Sequence, residues 1–304
     1  MVFAQLSAIP DCTVEQQVPL AGYTSFRVGG PAEYFVTVDT VAAAKTLLDI
    51  CRAHAIPSLL LGNGSNLLIA DSGFNGVVWR FSPTSATCTL CDDGVSVRVS
   101  AGMPLGKLCR FAAAQALTGL EFAFGIPGSV GGAVYMNAGA YDGQMADIVD
   151  TVELITQNGE FATVSGADMA FGYRHSACME TGAVVTAVTF KLTRGDKAAI
   201  DEKMQALLTR RRDKQPLEYP SAGSFFKRPV GYFAGKLIED AGLKGYTVGG
   251  AQVSEKHAGF VINLGNATAR DIVTLERDVS RIVFEKYGVV MEPEVRYIGD
   301  FEED

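Results

Sequence analysis

Residues Gly125–Ala140 read GIPGSVGGAVYMNAGA. Glycine stands at positions 125, 128, 131, 132 and 139, and no residue of the stretch is charged. Pro127 followed by small residues suits the entry to a helix. Glycine lets such a backbone lie against a flat group or present its amides to phosphate. Tight packing of one helix on another would use the same residues, so alone the stretch leaves both readings open. A second glycine loop, GNGSN at Gly62–Asn66, lies between two apolar segments, Ser58–Leu61 and Leu67–Ala70. Its Gly-x-Gly permits positive φ, and successive amides in such a turn form an anion-binding nest. It does not run on as GxGxxG into a helix, because Leu67-Leu68-Ile69 reads as strand; the dinucleotide fingerprint is absent. Taken alone it reads as a plain hairpin turn. Two such loops in one chain favour a bound diphosphate cofactor.

Outward from these loops the pattern is α+β rather than a strict βαβ alternation. Strands are predicted at Ala32–Val38, Ser58–Leu61, Leu67–Ala70, Val77–Phe81, Val149–Thr156, Val184–Leu192, Gly259–Leu264 and Val289–Ile298. Val95, Val97 and Val99 alternate with polar residues, the mark of a half-buried strand. Apolar residues at Val41, Ala44, Leu47, Leu48 and Cys51 give Thr40–Ala55 a helical period. Further helices are predicted at Pro104–Ala116, from Gly195-Asp196 to the Arg210–Arg212 run, and at Tyr232–Ala241. Thr268–Asp271 resembles a capping box, with Asp replacing the usual Glu. Behind it Ile272, Leu275, Val279, Ile282 and Val283 mark one face of a helix that stops at Gly288.

A chain of 304 residues has room for two or three domains. It is 48% hydrophobic and 20% charged, an ordinary globular balance. A net charge of −8 argues against general nucleic-acid binding. No apolar run reaches the roughly 20 residues of a membrane helix, and no secretory signal is expected. Cys88 and Cys91 form one CxxC without the second pair that a zinc site needs. The irregular cysteine spacing reads as free thiols in a reducing compartment, hence a cytoplasmic protein.

The polar candidates are ambiguous one at a time. Ser221–Pro229, SAGSFFKRP, puts a serine, two aromatics and two cations side by side, which suits the wall of a ligand pocket. Arg174, in FGYRHS, could hold a carboxylate bidentately or serve as a solvated partner of Tyr173. Arg210, Arg211, Arg212, Lys214, Lys227 and Arg228 face only Asp213 and Glu218 in their stretch, an excess that would suit a phosphorylated ligand or a solvated helix end. Glu294, alternating with Val295 and Arg296, reads most simply as outward-facing. His54, His175 and His257 lack metal-ligand spacing, and no metal is expected. From the residues alone the reading is a cytoplasmic enzyme with a phosphorylated ligand, its reaction undecided.

In order along the chain stand TSFRVGGPAEYF, LGNGSNLL, GIPGSVGGAVYMNAGAY, FGYRHS, RRDKQP, SAGSFFKRP, AGKLIEDAGLKG and EPEVRYIG. Together they resemble one family, the UDP-N-acetylenolpyruvoylglucosamine reductases, flavoproteins of the vanillyl-alcohol-oxidase type. The resemblance runs from Thr24 to Gly299. It implies reduction of the enolpyruvyl ether of UDP-N-acetylglucosamine enolpyruvate to UDP-N-acetylmuramate for peptidoglycan, with non-covalent FAD as cofactor and NADPH as co-substrate. Hydride would pass from flavin N5 to the methylene carbon. Ser224 matches the family's proton donor, Arg174 its carboxylate-binding arginine and Glu294 its catalytic glutamate. Tyr173, Lys214 and Arg228 match substrate-contacting positions. Gly62, Asn63, Gly64, Ser65 and Asn66, with Gly125, Ile126, Pro127, Gly128 and Ser129, match the flavin-binding loops. In this reading Arg174 and a protonated Glu294 stabilise the enolate-like charge while Ser224 delivers a proton to it.

The implied architecture is a two-lobed FAD-binding domain and a smaller α+β substrate domain. Its boundaries are 1–79, joined by a terminal strand at 289–304, then 80–212, then 213–288. Some members carry a long insertion with a substrate-covering tyrosine after FxYR. Here nine residues separate Arg174 from the strand expected at Val184, so the chain resembles the shorter subclass. Two rivals stand beside this reading: another FAD-dependent oxidoreductase of the same fold, and a cofactor-free UDP-sugar binding module. GNGSN has neither the His nor the Cys by which the covalent flavoenzymes attach their cofactor.

Overall fold

The computed structural model of the chain describes residues 2–301. The outer ends of the expected boundaries, Met1 and residues 302–304, lie outside the described residues. The chain forms two compact units. The first takes the segment up to Glu15 with Tyr34–Asn63 and Val77–Arg210; the second takes Gln16–Glu33, Gly64–Gly76 and everything from Arg211 onward.

The first unit holds two hydrophobic cores. One lies under a four-stranded sheet of order Cys12–Pro19, Pro31–Val38, Phe74–Phe81, Ser58–Leu60. Helix Val41–Ala53 buries Ala43, Ala44, Leu47 and Cys51 in the same cluster as Val36, Val38, Val77 and Trp79. It begins where Thr40 Oγ1 accepts the Ala43 N–H at 3.1 Å, an N-cap that satisfies one orphan donor of the first turn. Ser58–Leu60 lies parallel to Val77–Trp79, and the crossover a parallel pair needs is the segment 61–76 between them. The second core lies under an antiparallel sheet of order Phe161–Ser165, Val149–Ile155, Val184–Lys191, Ser96–Ser100, Cys88–Leu90. Val97 and Val99 are wholly buried while Arg98 between them faces out, as period-two alternation requires. Arg98 makes a bidentate ion pair with Glu153, Nε to Oε1 at 2.6 Å and Nη2 to Oε2 at 2.7 Å. Helices Leu105–Ala114 and Val130–Tyr135 contribute Leu105, Leu108, Cys109, Val130 and Val134 to this core.

The second unit has one core, under a four-stranded antiparallel sheet of order Ser221–Ser224, Phe260–Asn263, Ala251–Val253, Thr247–Val248. Helix Ala269–Tyr287 buries Ile272, Leu275, Val279 and Val283 there, beside Phe225 and Phe226. The capping box is present in both directions: Thr268 Oγ1 accepts from Asp271 N, and Asp271 Oδ2 accepts from Thr268 N, each at 3.0 Å. The Asp71 carboxylate adds bonds from Ala269 N at 2.8 Å and Arg270 N at 3.1 Å, so two acids face the positive end of this helix. The helix stops at Gly288, whose φ of +66° is left-handed.

Several expectations are corrected. GNGSN is no hairpin turn: Ser58–Leu60 pairs with Val77–Trp79, whereas Leu67–Ile69 pairs in parallel with Arg296–Ile298. The terminal strand is Arg296–Ile298 only, not Val289–Ile298. Pro293 lacks an N–H for a regular ladder, and the flanking backbone bonds instead to the 225–227 segment. The helix expected from Tyr232 begins at Ala234, because Gly231 at φ +79° still belongs to a turn. Strands Cys12–Pro19, Phe161–Ser165 and Ala251–Val253 had no expectation: the first is mostly exposed, the second alternates but turns its Phe161 outward, and the third is three residues long.

Candidate functional site

In the first unit the end of one glycine loop meets the other. A Cβ on Gly62 would stand 2.6 Å from Ser129 Oγ, so Gly62 and Asn63 run directly beside the Gly125–Ser129 loop. Ser129, itself buried, caps the short helix behind it by accepting the Gly132 N–H at 3.2 Å. The loop is fixed from behind, with Leu105 N donating to Gly128 O at 2.9 Å and Gly128 N to Ile126 O at 2.9 Å. Val130 N and Gly131 N bond Met103 O and Ala101 O at 2.9 and 2.8 Å.

Tyr173 and Arg174 form the tip of a tight turn, closed by Gly172 N to His175 O at 3.1 Å and His175 N to Gly172 O at 3.3 Å. Tyr173 is 58% exposed. Arg174 has φ +54°, uncommon outside glycine. Its guanidinium lies 5.2 Å from the Tyr173 ring centroid and donates to Gly139 O at 3.4 Å. The base of the turn is tied to the glycine-rich segment by a residue the sequence did not single out. Asn137 Nδ2 donates to Gly172 O at 2.9 Å and to Gln144 Oε1 at 3.1 Å, and its Oδ1 accepts from Ala146 N at 2.9 Å. Ser176 Oγ adds a bond to Tyr135 O at 2.7 Å. The available signal was a lone carboxamide within an otherwise apolar MNAGA run.

The second unit holds Gly64, Ser65 and Asn66 together with Ser224, Arg228 and Glu294. Gly64 sits at φ +58°, and a Cβ there would lie 2.2 Å from Tyr23 O, so only glycine fits. Its carbonyl accepts from Ser25 N at 3.1 Å. Asn66 locks the loop to the C-terminal segment: Nδ2 donates to Glu294 O at 3.1 Å, and Arg296 N donates to Asn66 O at 3.0 Å. The next link is Glu294 N to Phe225 O at 2.7 Å, with Lys227 N to Glu292 O at 2.8 Å beside it. Ser224 is thereby one residue from the backbone position that binds Glu294. It stands opposite Phe260 at the end of an irregular ladder, past a register shift that contains Gly223 at φ +78°. Such a bulge re-aims the side chain that follows it. Ser224 is exposed and Glu294 half-buried, while Phe225 and Phe226 are 0% and 3% exposed. The two aromatics of SAGSFFKRP are therefore core anchors rather than pocket wall.

The cations are dispersed. Arg228 carries its guanidinium 4.0 Å from the Phe233 ring centroid. Lys227 pairs with Glu292 at 3.0 Å. Lys214 is exposed at the end of helix Lys197–Lys214.

The Gly62–Ser65 loop offers a flavin diphosphate its donors on the structure's own terms. Among the described residues the amides of Gly62, Asn63, Gly64 and Ser65 have no hydrogen-bond partner. A run of unspent donors on a loop with glycine-only close approaches is what an anion needs. Among the described residues no cluster of three His, Cys, Asp or Glu is placed to hold a metal, and no helix is long and apolar enough to cross a membrane.

Comparison with known proteins agrees with this layout. Residues 32–165 match an FAD binding domain, and residues 215–298 match the C-terminal domain of UDP-N-acetylenolpyruvoylglucosamine reductase. A reductase of that name from Lachnoclostridium phytofermentans is 50% identical over 93% of this chain and 92% of its own. The crystal structure of UDP-N-acetylenolpyruvylglucosamine reductase from Thermus caldophilus matches with a TM-score of 0.82 at 39% identity, covering 95% of this chain and 100% of that one. BBE-like 1 of Physcomitrella patens, 16% identical, matches with a TM-score of 0.50 over 64% of this chain and 44% of its own, a likeness of fold alone. The α+β fold with a vanillyl-alcohol-oxidase-type FAD-binding domain is the fold observed.

Proposed function

The chain belongs to the family of UDP-N-acetylenolpyruvoylglucosamine reductases, FAD-containing oxidoreductases of peptidoglycan-precursor synthesis, and from that premise we propose how its own residues carry the reaction. The reductant is NADPH and the substrate is UDP-N-acetylglucosamine enolpyruvate. Bound FAD supplies the group that takes hydride from NADPH and returns it to the enolpyruvyl methylene carbon. The unspent backbone amides of Gly62–Ser65, with those of Gly125 and Ser129, hold its diphosphate without a covalent link, since neither loop carries a His or Cys.

Hydride addition leaves an electron pair beside the substrate carboxylate. Arg174 holds that carboxylate and offsets the growing charge. Ser224 gives its hydroxyl proton to the carbon bearing the pair, completing the lactyl ether; a hydroxyl can do so because the enolate-like species is a strong base. Glu294 supplies a second polar group at that carbon, Tyr173 contacts the substrate, and Lys214 and Arg228 meet its diphosphate. The observation that carries this reading is the backbone link between Phe225 and Glu294, which brings the segments of Ser224 and Glu294 side by side. The division into lobes at 1–79 with 289–304, at 80–212 and at 213–288 is part of the same proposal. So is a cytoplasmic location, which the six free cysteines support.

NADPH and the UDP-sugar are both anionic, and this reading gives both the same partners, Lys214 and Arg228, so they bind alternately. The test is initial-rate kinetics of NADPH oxidation with and without the enolpyruvyl sugar. Parallel lines and inhibition by excess sugar are expected. Intersecting lines, with a ternary complex trapped at equilibrium, would refute alternate binding, and no sugar-dependent NADPH oxidation would refute the reading itself.

A further inference from the structure

We propose that Asn137 is the positioning residue that sets Arg174 for the substrate carboxylate; this rests on the carboxylate-binding role given to Arg174 above. The turn bearing Arg174 is intrinsically unfavourable, because at φ +54° a non-glycine Cβ crowds the following carbonyl oxygen. Backbone held in such a region persists only where its surroundings over-determine it. Here the surroundings are the segment Asn137–Gly139. Asn137 binds the carbonyl of Gly172, at the base of the turn, and the Gly139 carbonyl two residues on receives the Arg174 guanidinium. Base and tip of the turn thus hang on one short segment of the glycine-rich stretch.

The side chain is built for that task. Asn137 is 2% exposed, and both its amide donor and its carbonyl acceptor are engaged, by Gly172 O, Gln144 Oε1 and Ala146 N. A buried carboxamide bonded in this way has one orientation and transmits it to its partners. Its own φ of +42° is one that asparagine tolerates better than most residues. The carboxamide therefore couples the turn at 145–147, the glycine-rich segment and the FGYRHS turn. Displacing an oriented binding group by about 1 Å is enough to cost about a hundredfold in rate.

Asn137→Asp and Asn137→Gly test this in the holoenzyme, since both residues accept positive φ. Asp keeps the acceptor for Ala146 N but sets oxygen against oxygen at Gly172 and Gln144. Gly removes the side chain without adding charge, and it serves should the Asp variant fail to fold. Stopped-flow flavin absorbance would follow each half-reaction, with Arg174→Lys and the double variant in parallel. Oxidation by the enolpyruvyl sugar should slow, or its KM rise, by about ten- to a hundredfold, while reduction by NADPH stays within about twofold and FAD content is unchanged. The double variant should be no slower than Arg174→Lys alone, because the two act as a unit. Equal slowing of both half-reactions, loss of FAD, or penalties that multiply in the double variant would overturn the proposal. If Arg174→Lys is harmless, the carboxylate role falls and this inference with it; if Arg174→Lys is damaging and the Asn137 variants are not, this inference alone falls.

Discussion

Gly64→Ala is the sharpest test of the loop argument, because its magnitude can be worked from the structure and separated from a control. Position 64 has φ +58°, and a left-handed conformation costs an alanine about 1–2 kcal/mol. The added Cβ would also stand 2.2 Å from Tyr23 O and 2.9 Å from Thr24 Cα. Both obstacles are backbone, so the loop must withdraw by about 1 Å to reach ordinary contact distance. Withdrawal breaks the bonds that Gly64 O accepts from Ser25 N at 3.1 Å and Ser25 Oγ at 3.4 Å, worth about 1 kcal/mol each. The total is about 3–4 kcal/mol. Gly223→Ala is the control: its φ is +78°, but nothing lies within 4 Å of the new Cβ. It incurs the conformational term alone, about 1–2 kcal/mol. Urea denaturation of both apo-proteins measures the difference, which should be about 2 kcal/mol. Flavin titration should show FAD affinity lowered about a hundredfold or more by Gly64→Ala and unchanged by Gly223→Ala. Equal destabilisation by the two substitutions, or full FAD occupancy in Gly64→Ala, would show that the close approach at Tyr23 does not hold the loop.

Ser224→Ala should leave flavin reduction by NADPH nearly intact and slow its reoxidation by the enolpyruvyl sugar by about 10²–10⁴-fold, with Ser224→Cys retaining more; stopped-flow absorbance of the two half-reactions decides, and equal slowing would make Ser224 structural. Glu276 on helix Ala269–Tyr287 has its pKa raised above 4.5, first by burial, against opposing bonds and charges from Ser280, Arg277 and Tyr297. The folded chain binds this proton more tightly than the unfolded one, so stability is lost as pH rises from 4.5 through the raised value; Glu276→Gln should flatten that slope in urea midpoints measured across the range. His257 is shifted the other way, its pKa lowered from 6.5 by burial, with its Nδ1 accepting the Gly259 N–H at 3.1 Å. Protonation is disfavoured in the fold, so stability should fall as pH drops from 6.5 through the lowered value, and a His257→Gln variant with an unchanged profile would assign that loss elsewhere.

The sequence by itself determined the parts whose signal is local. The helix at Val41–Ala53, the capping box at Thr268–Asp271 and its stop at Gly288 follow from side-chain spacing and from residues that satisfy helix ends within a few positions. Val97 and Val99 could be placed in a core by alternation. The family was legible because eight short motifs occur in order, some of them fixed by a local backbone requirement. Gly64 is the clearest of these, since a Cβ there would collide with Tyr23 O. Tertiary structure alone decided what joins distant stretches. Leu67–Ile69 pairs with Arg296–Ile298, and Asn66 Nδ2 reaches Glu294 O across 228 positions of chain, turning an apparent hairpin into a junction. Phe225 and Phe226, read as pocket wall, are core because strand Phe260–Asn263 and the segment around Pro293 bond to either side of theirs. Asn137 matters through Gly172, 35 residues away. A periodic pattern tells which face of an element is buried, but not which backbone carbonyl will stand within 3 Å of a given amide. That is fixed only when strands from opposite ends of the chain pair and every buried polar group has found its partner.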